Sequence, residues 1–421
     1  MSAQPLLPLC LCALAAAAAA AAAATGPLPP VVLMNGLAGS VLHAKLDHVS
    51  TPHALCEQNS EWFKLWVSAA ELLPGVIDCT FDNMKLVYNA AAKTYRNKAG
   101  VTIDGSVDWG GVGGLEYLDP GVTASGYFHD VVQVLRTRLN YTVNRTLRAA
   151  PYDWRLAPDG FSQVNAGAAY QASSYFDRLK LLVEETYALN GDAAVVLVSH
   201  SMGGPVAHAF LSREVSSEWK AKYIRGFIPF SPPFGGAVST VEALVSGDTL
   251  GVPIVSHSLF PPIQSTCASG PWLFPQPSLW PENEVLVTSD AGKQVWTSKN
   301  YTEMTSALGL TQAESMFRNG LNTLLHTFDA PGVPTFVLRG TGVSTPARFD
   351  YADAFVRGKV PKAPASIVHE TLGDGTVNGR SLDRARLWPE TTYHVFQNTS
   401  HFGILMSELA LGKLVEILES L

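Results

Sequence analysis

The chain has 421 residues, 47% of them hydrophobic and only 15% charged, with 29 Lys plus Arg against 36 Asp plus Glu. A formal net charge of −7 excludes the basic excess with which nucleic-acid binders neutralise phosphates, so no nucleic-acid partner is expected. An apolar fraction this high with so few charges also excludes a disordered chain and supplies enough core for one large domain or several ordinary ones.

Residues Leu6 to Ala24 are apolar and dominated by Ala, with Ala-x-Ala cleavage patterns around Ala22 to Ala24. The segment reads as a secretory signal peptide over 1–24, leaving a mature domain over 25–421. No Lys or Arg precedes the run, which leaves an uncleaved anchor as the alternative; poly-Ala is only weakly hydrophobic for a bilayer span. Sequons at Asn140, Asn144, Asn300 and Asn398 suit a secretory route and are the candidate glycosylation sites. Of five cysteines, Cys10 and Cys12 leave with the signal peptide. Cys56 and Cys79 form a candidate disulfide, and Cys267 is left odd, either a buried thiol or a reactive one.

The first strand is expected at Val31 to Met34, running into Asn35-Gly36-Leu37-Ala38-Gly39. Apolar residues at Phe176, Leu179, Leu182, Val183 and Tyr187 fall at helical spacing just before a second strand, Ala193 to Val198. Further strands are expected at Gly226 to Phe230, Thr335 to Leu338 and Tyr393 to Gln397, and helices over Met202 to Leu211 and Ile404 to Leu418. Strands alternating with helices predict an α/β fold with a mostly parallel sheet. Two stretches break the alternation and read as insertions: about 47–115, with Trp62, Phe63, Trp66 and the cysteine pair, and about 236–330, rich in Pro, Trp and Phe.

The second strand ends in Ser199-His200-Ser201-Met202-Gly203. A strand, then small-x-Ser-x-Gly, then a helix is the context of a nucleophile elbow: the serine sits on a strained turn, so residues two before and two after it must be small. Ser199 stands where glycine is usual. The following helix points its N-terminal N–H groups at developing negative charge. A base and an orienting carboxylate are expected later, in the order Ser, acid, His. His401 follows the last strand and precedes the last helix, whereas His394 lies within a strand pattern and His208 lies further along the helix. Asp374, between Gly373 and Gly375, is the candidate acid that holds the imidazole tautomer. The oxyanion hole is expected from the backbone N–H groups of Met202 and Leu37. Metal and dinucleotide motifs are missing from the sequence, and neither a metal nor a cofactor is expected.

At this point the sequence resembles the lecithin:cholesterol acyltransferase family, and within it the lysosomal (group XV) phospholipase A2 branch. The likeness rests on a co-linear set that includes Ala44-Lys-Leu-Asp47, Ile77-Asp-Cys79, Leu115-Glu-Tyr-Leu-Asp-Pro120, Gly126-Tyr-Phe-His129, Ala150-Pro-Tyr-Asp-Trp-Arg155, Ser199-His-Ser-Met-Gly203 and Gly373-Asp-Gly-Thr-Val-Asn378. The resemblance implies an α/β-hydrolase fold with a cap and lid over about 236–330 and a small membrane-binding subdomain over about 47–115, closed by Cys56–Cys79. It implies the triad Ser201, Asp374 and His401, oxyanion donors at Leu37 and Met202, and Asp153 and Trp154 in a substrate-binding loop. Three departures stand out: Asn35-Gly36 where the family has Pro-Gly, a lone Cys267, and Pro232-Pro233-Phe234-Gly-Gly in place of Pro-Trp-Gly-Gly.

The expected reaction is a serine phospholipase A and O-acyltransferase cycle. An acyl-serine intermediate passes its acyl group to water or to a lipid alcohol, at a phospholipid membrane or lipoprotein surface, in a lysosome or outside the cell. The alternatives are a phosphatidylcholine-sterol acyltransferase, a neutral-lipid esterase and a non-catalytic lipid-binding protein. Trp62, Phe63 and Trp66 read either as membrane contacts or as subdomain core.

Overall fold

The computed structural model describes residues 27–68, 70–164, 173–248, 257–322 and 328–421. The expected signal peptide lies outside the described residues, as does 249–256 of the expected lid. The scaffold is a six-stranded sheet of β1 (Val31–Met34), β2 (Leu147–Ala149), β3 (Val195–His200), β4 (Ile224–Phe230), β5 (Thr335–Thr341) and β6 (Thr391–Gln397), in the order β6-β5-β4-β3-β1-β2. Every pairing is parallel.

The sequence of these strands follows from burial on both faces. Val31, Leu33, Val196, Val198 and Ile228 face one core, and Val32, Met34, Val195, Leu197 and Phe227 face the other. With both sides dry, each strand reads as a continuous apolar run and not as an alternation. One face is covered by α1 (His129–Arg138), through Val131, Val132 and Leu135, and by the C-terminal helix, through Leu411, Leu414 and Leu418. The other face takes α2 (Tyr175–Leu189) through Phe176, Leu179, Leu182 and Val183. Ser174 begins α2 with a capping box, its hydroxyl accepting from Asp177 N–H while Asp177 reaches back, worth about 1 kcal/mol. This is an α/β-hydrolase fold.

Three expected boundaries change. The second strand runs from Val195 to His200, since Met34 of β1 pairs as far along as Ser199. The helix expected over Met202 to Leu211 is α3 (Gly203–Ala209) followed by a wider π-type turn, Phe210–Glu214. Pro205 is tolerated in its first turn because its missing N–H has no partner there in any case. The helix expected from Ile404 starts instead at Glu408 as α4 (Glu408–Ser420), where the Ser407 hydroxyl caps Ala410 N–H; a short 3₁₀ turn, Gly403–Leu405, precedes it.

The segment around Cys56 and Cys79 builds a three-stranded antiparallel sheet, Ser60–Trp66 with Leu42–Leu46 and Val101–Asp104, beside a hairpin of Leu86–Asn89 and Thr94–Asn97. Cys56 and Cys79 are disulfide-bonded, and Cys267 is a buried free thiol. A further four-stranded sheet joins Gln294–Thr297, Val285–Ser289, Thr345–Asp350 and Ser366–Glu370. Among the described residues no helix is long and apolar enough to cross a membrane.

Candidate active site

The carboxyl ends of β1, β3, β5 and β6 converge on Ser201. This residue follows β3 directly and holds a φ of +53°, the left-handed strain expected for a nucleophile on a tight strand-to-helix turn. Its N–H is tied to Phe230 O at 2.9 Å. The need for small neighbours is visible in the packing. A Cβ on Gly203 would lie 2.4 Å from the Asn35 carbonyl oxygen, and one on Gly36 would lie 2.8 Å from Ser201 Cβ. Ser199, at the other small position, is fully buried, and its Oγ has no partner among the described residues.

His401 lies just beyond β6 and is 4% exposed. Its Nε2 is 2.8 Å from Ser201 Oγ and its Nδ1 is 2.8 Å from Asp374 Oδ2. The backbones are joined as well, His401 N–H donating to Asp374 O at 2.8 Å. Both glycines around Asp374 have a reason. Gly375 has φ +95°, and a Cβ on Gly373 would come 2.3 Å from Thr345 Oγ1. Burial pushes the Asp374 pKa up. The adjacent His401 ring, the hydrogen bond from it and the N–H groups of Val377 and Thr376 outweigh burial, so the carboxyl titrates below the usual range. Asp374 is therefore a charged acceptor, and Nδ1 of His401 is the donor to it.

The loop carrying Leu37 is pinned by residues that sequence patterns did not reveal. Asn35 is buried; its Nδ2 donates to Ser40 Oγ and its Oδ1 accepts from Tyr152 N–H. Tyr152 O–H donates to Asn35 O at 2.5 Å. The departure from Pro-Gly to Asn35-Gly36 thus supplies an amide that staples the loop to the strand-end at Tyr152. Among the described residues neither Leu37 N–H nor Met202 N–H has an intramolecular acceptor; Met202 follows the serine directly, and Leu37 follows Gly36, whose Cβ position lies 2.8 Å from Ser201 Cβ.

The remaining candidates lie further out. Asp153 has both carboxylate oxygens on the fully buried Arg155, at 2.8 and 2.5 Å; Arg155 also donates to Met84 O and Asn97 Oδ1. Trp154 is buried edge-on against Trp66, their ring centroids 5.4 Å apart. Trp66 is a correction to the expected membrane contacts. It is 3% exposed and donates Nε1–H to Ala38 O, because this end of its strand pairs with Leu42 at the body of the fold. Trp62, at the far end of the strand, is 43% exposed, and Phe63 is half-buried. Asn140, Asn144 and Asn398 are exposed. The half-buried Asn300 has its side chain engaged, Oδ1 accepting from Thr297 N–H and Nδ2 donating to Val295 O.

The model for lecithin:cholesterol acyltransferase matches residues 62–328. A bovine protein named lysosomal phospholipase A and acyltransferase is 34% identical, over 93% of this chain and 92% of its own. The chain belongs to the lecithin:cholesterol acyltransferase family. A chicken phosphatidylcholine-sterol acyltransferase is nearly as similar, 32% identical over 92% of this chain and 89% of its own. In fold the chain is similar to one in the crystal structure of the Tle4-Tli4 complex, with TM-score 0.55 and 14% identity, over 94% of this chain and 99% of that one. It is an enzyme of a lipid-acting family, and a half-buried Ser201 stands in hydrogen-bonded sequence with the buried His401 and Asp374.

Proposed function

We propose that this chain is a serine phospholipase A and lipid O-acyltransferase. The observation that carries the reading is the unbroken path Ser201 Oγ, His401, Asp374, and the backbone N–H groups of Leu37 and Met202 have no acceptor among the described residues. His401 Nε2 takes the Ser201 proton as Oγ attacks an ester carbonyl of a glycerophospholipid. The Leu37 and Met202 N–H groups hold the oxyanion, each worth about 3 kcal/mol in comparable sites. Collapse of the tetrahedral species breaks the ester C–O bond. The lysophospholipid leaves with the proton from His401, and the acyl group stays on Ser201. Water or a lipid alcohol then gives its proton to His401 and takes the acyl group, as fatty acid or as new ester.

The mature domain would span 25–421, with the 47–115 segment facing a lipid surface through Trp62 and Phe63 and the 236–330 segment forming cap and lid. Asp153 and Trp154 would shape the substrate side from within the wall, and Asn140, Asn144, Asn300 and Asn398 are the proposed glycan carriers. A lysosomal or extracellular location goes with this reading. The names of the bovine and chicken relatives divide on the acceptor. Incubation with phosphatidylcholine liposomes holding a sterol or a short-chain ceramide, at acid and at neutral pH, separates the two. Acyl-ceramide at acid pH supports the phospholipase branch; sterol ester at neutral pH replaces it with the sterol acyltransferase reading.

A further inference from the structure

Beneath the triad lies a second set of buried polar groups that the reaction as written does not use. Tyr127 Oη is 2.9 Å from Gly36 N and 2.6 Å from His200 Nδ1, and His200 Nε2 is 2.8 Å from His401 O. Tyr127, His200 and His401 are all buried.

The direction of every bond is fixed. A backbone carbonyl only accepts, so His200 Nε2 carries the hydrogen. A neutral imidazole then has a lone pair at Nδ1, so Tyr127 O–H donates to it. That leaves the Tyr127 oxygen to accept from Gly36 N–H. Burial, and next the neighbouring His401, push the His200 pKa down to about 3, which keeps the ring neutral across acid and neutral pH. Protonation would turn Nδ1 into a donor and leave the Tyr127 hydrogen without an acceptor in a dry site.

We propose that Tyr127 and His200 are positioning residues that clamp the oxyanion loop to the backbone of His401, a role that rests on the reaction proposed above. Gly36 precedes Leu37, so fixing Gly36 N–H aims the Leu37 N–H. His200 precedes Ser201, and its far nitrogen anchors the carbonyl of the base. One path therefore sets nucleophile, base and oxyanion donor against each other. The packing agrees. A Cβ on Gly36 would lie 2.8 Å from Tyr127 Oη, and one on Gly39 would lie 2.5 Å from the Tyr127 ring, so the loop rests directly on that side chain. The His200 ring also touches the His401 ring, their centroids 4.8 Å apart.

The test is Tyr127→Phe, which keeps the ring and removes the central hydroxyl. With a soluble short-chain ester, kcat is expected to fall about 10- to 100-fold, a partial version of losing an oxyanion donor, with KM within a factor of two. Affinity for an alkyl trifluoromethyl ketone, whose serine adduct places an oxyanion in the hole, falls in step with kcat. His200→Asn keeps an acceptor near Tyr127 but is too short to reach His401 O, and is expected to show the same split. It decides the matter if Tyr127→Phe does not fold. A variant that melts lower but keeps kcat and ketone affinity overturns the clamp. Failure of the wild-type protein to react with a fluorophosphonate at Ser201 overturns instead the underlying reaction.

Discussion

Gly203 packs so closely beneath Asn35 that a Cβ on it would stand 2.4 Å from the Asn35 carbonyl oxygen. That contact sets the distance between the turn bearing Ser201 and the loop bearing Leu37. Overpacking of this kind costs about 1–3 kcal/mol in general, and here the atom that must move is backbone of the oxyanion loop. Gly203→Ala is expected to lower the melting temperature modestly and to cut kcat far more than the stability loss explains. Paired melting curves and ester kinetics check this; equal kcat in wild type and variant would show that the spacing is immaterial.

Asp374 accepts from His401 Nδ1 and is held by two backbone N–H groups, so it serves as a fixed anion. Asn in its place offers an N–H toward Nδ1 and favours the wrong tautomer, a change that costs about four orders of magnitude in a comparable triad. Asp374→Asn is expected to leave the fold and KM near normal while kcat collapses. Ester kinetics with a circular-dichroism control measure it.

Trp62 and Trp66 lie on one strand, but Trp62 is exposed and Trp66 is buried. Trp62→Ser with Phe63→Ser is expected to weaken sedimentation with phosphatidylcholine liposomes while turnover of a soluble ester stays near wild type. Trp66→Ala, which empties a buried site and orphans the Ala38 carbonyl, is expected to cost about 3–5 kcal/mol of stability. Unchanged liposome binding by the first variant would remove the lipid-contact role.

His208 is buried, donates Nε2–H to Asp329 O, and has its pKa lowered from 6.5 to about 4, first by burial. Below the unfolded value the unfolded chain binds a proton that the folded chain refuses, so this group removes stability as the pH falls from 6.5 toward 4. The loss reaches about 3 kcal/mol in the limit. Glu242, pushed up to about 7 chiefly by burial, works the other way over much of that range, so the net profile mixes signs. The difference between wild type and His208→Gln isolates the histidine. The variant, read by melting temperature against pH, is expected to lose less stability on acidification; parallel profiles would show that His208 does not contribute.

The sheet was readable from the amino-acid sequence because burial on both faces leaves apolar runs such as Val31-Val-Leu-Met34 with glycine-rich ends. The residues that meet in the site were readable for a related reason: Ser201 and Asp374 sit in short turns whose small neighbours are demanded locally, and His401 stands just after the last strand. Tyr127, His200, Asn35 and Tyr152 left no such signal. Their partners lie far away in the chain, His200 to His401 being 201 residues apart, and nothing around Tyr127 marks a hydroxyl aimed at Gly36. Trp66 misleads for the opposite reason, since a local cluster of aromatics does not say which end of a strand enters the body of the fold.

The most direct test of the account is the fate of phosphatidylcholine in liposomes given to wild-type protein and to Ser201→Ala, with lysophospholipid, free fatty acid and acylated alcohol measured together. The account predicts that wild type releases lysophospholipid in amounts matched by the sum of fatty acid and acylated alcohol, and that Ser201→Ala, folded to the same melting temperature, releases none. Lysophospholipid formed equally by Ser201→Ala, or none formed by wild type, would contradict it.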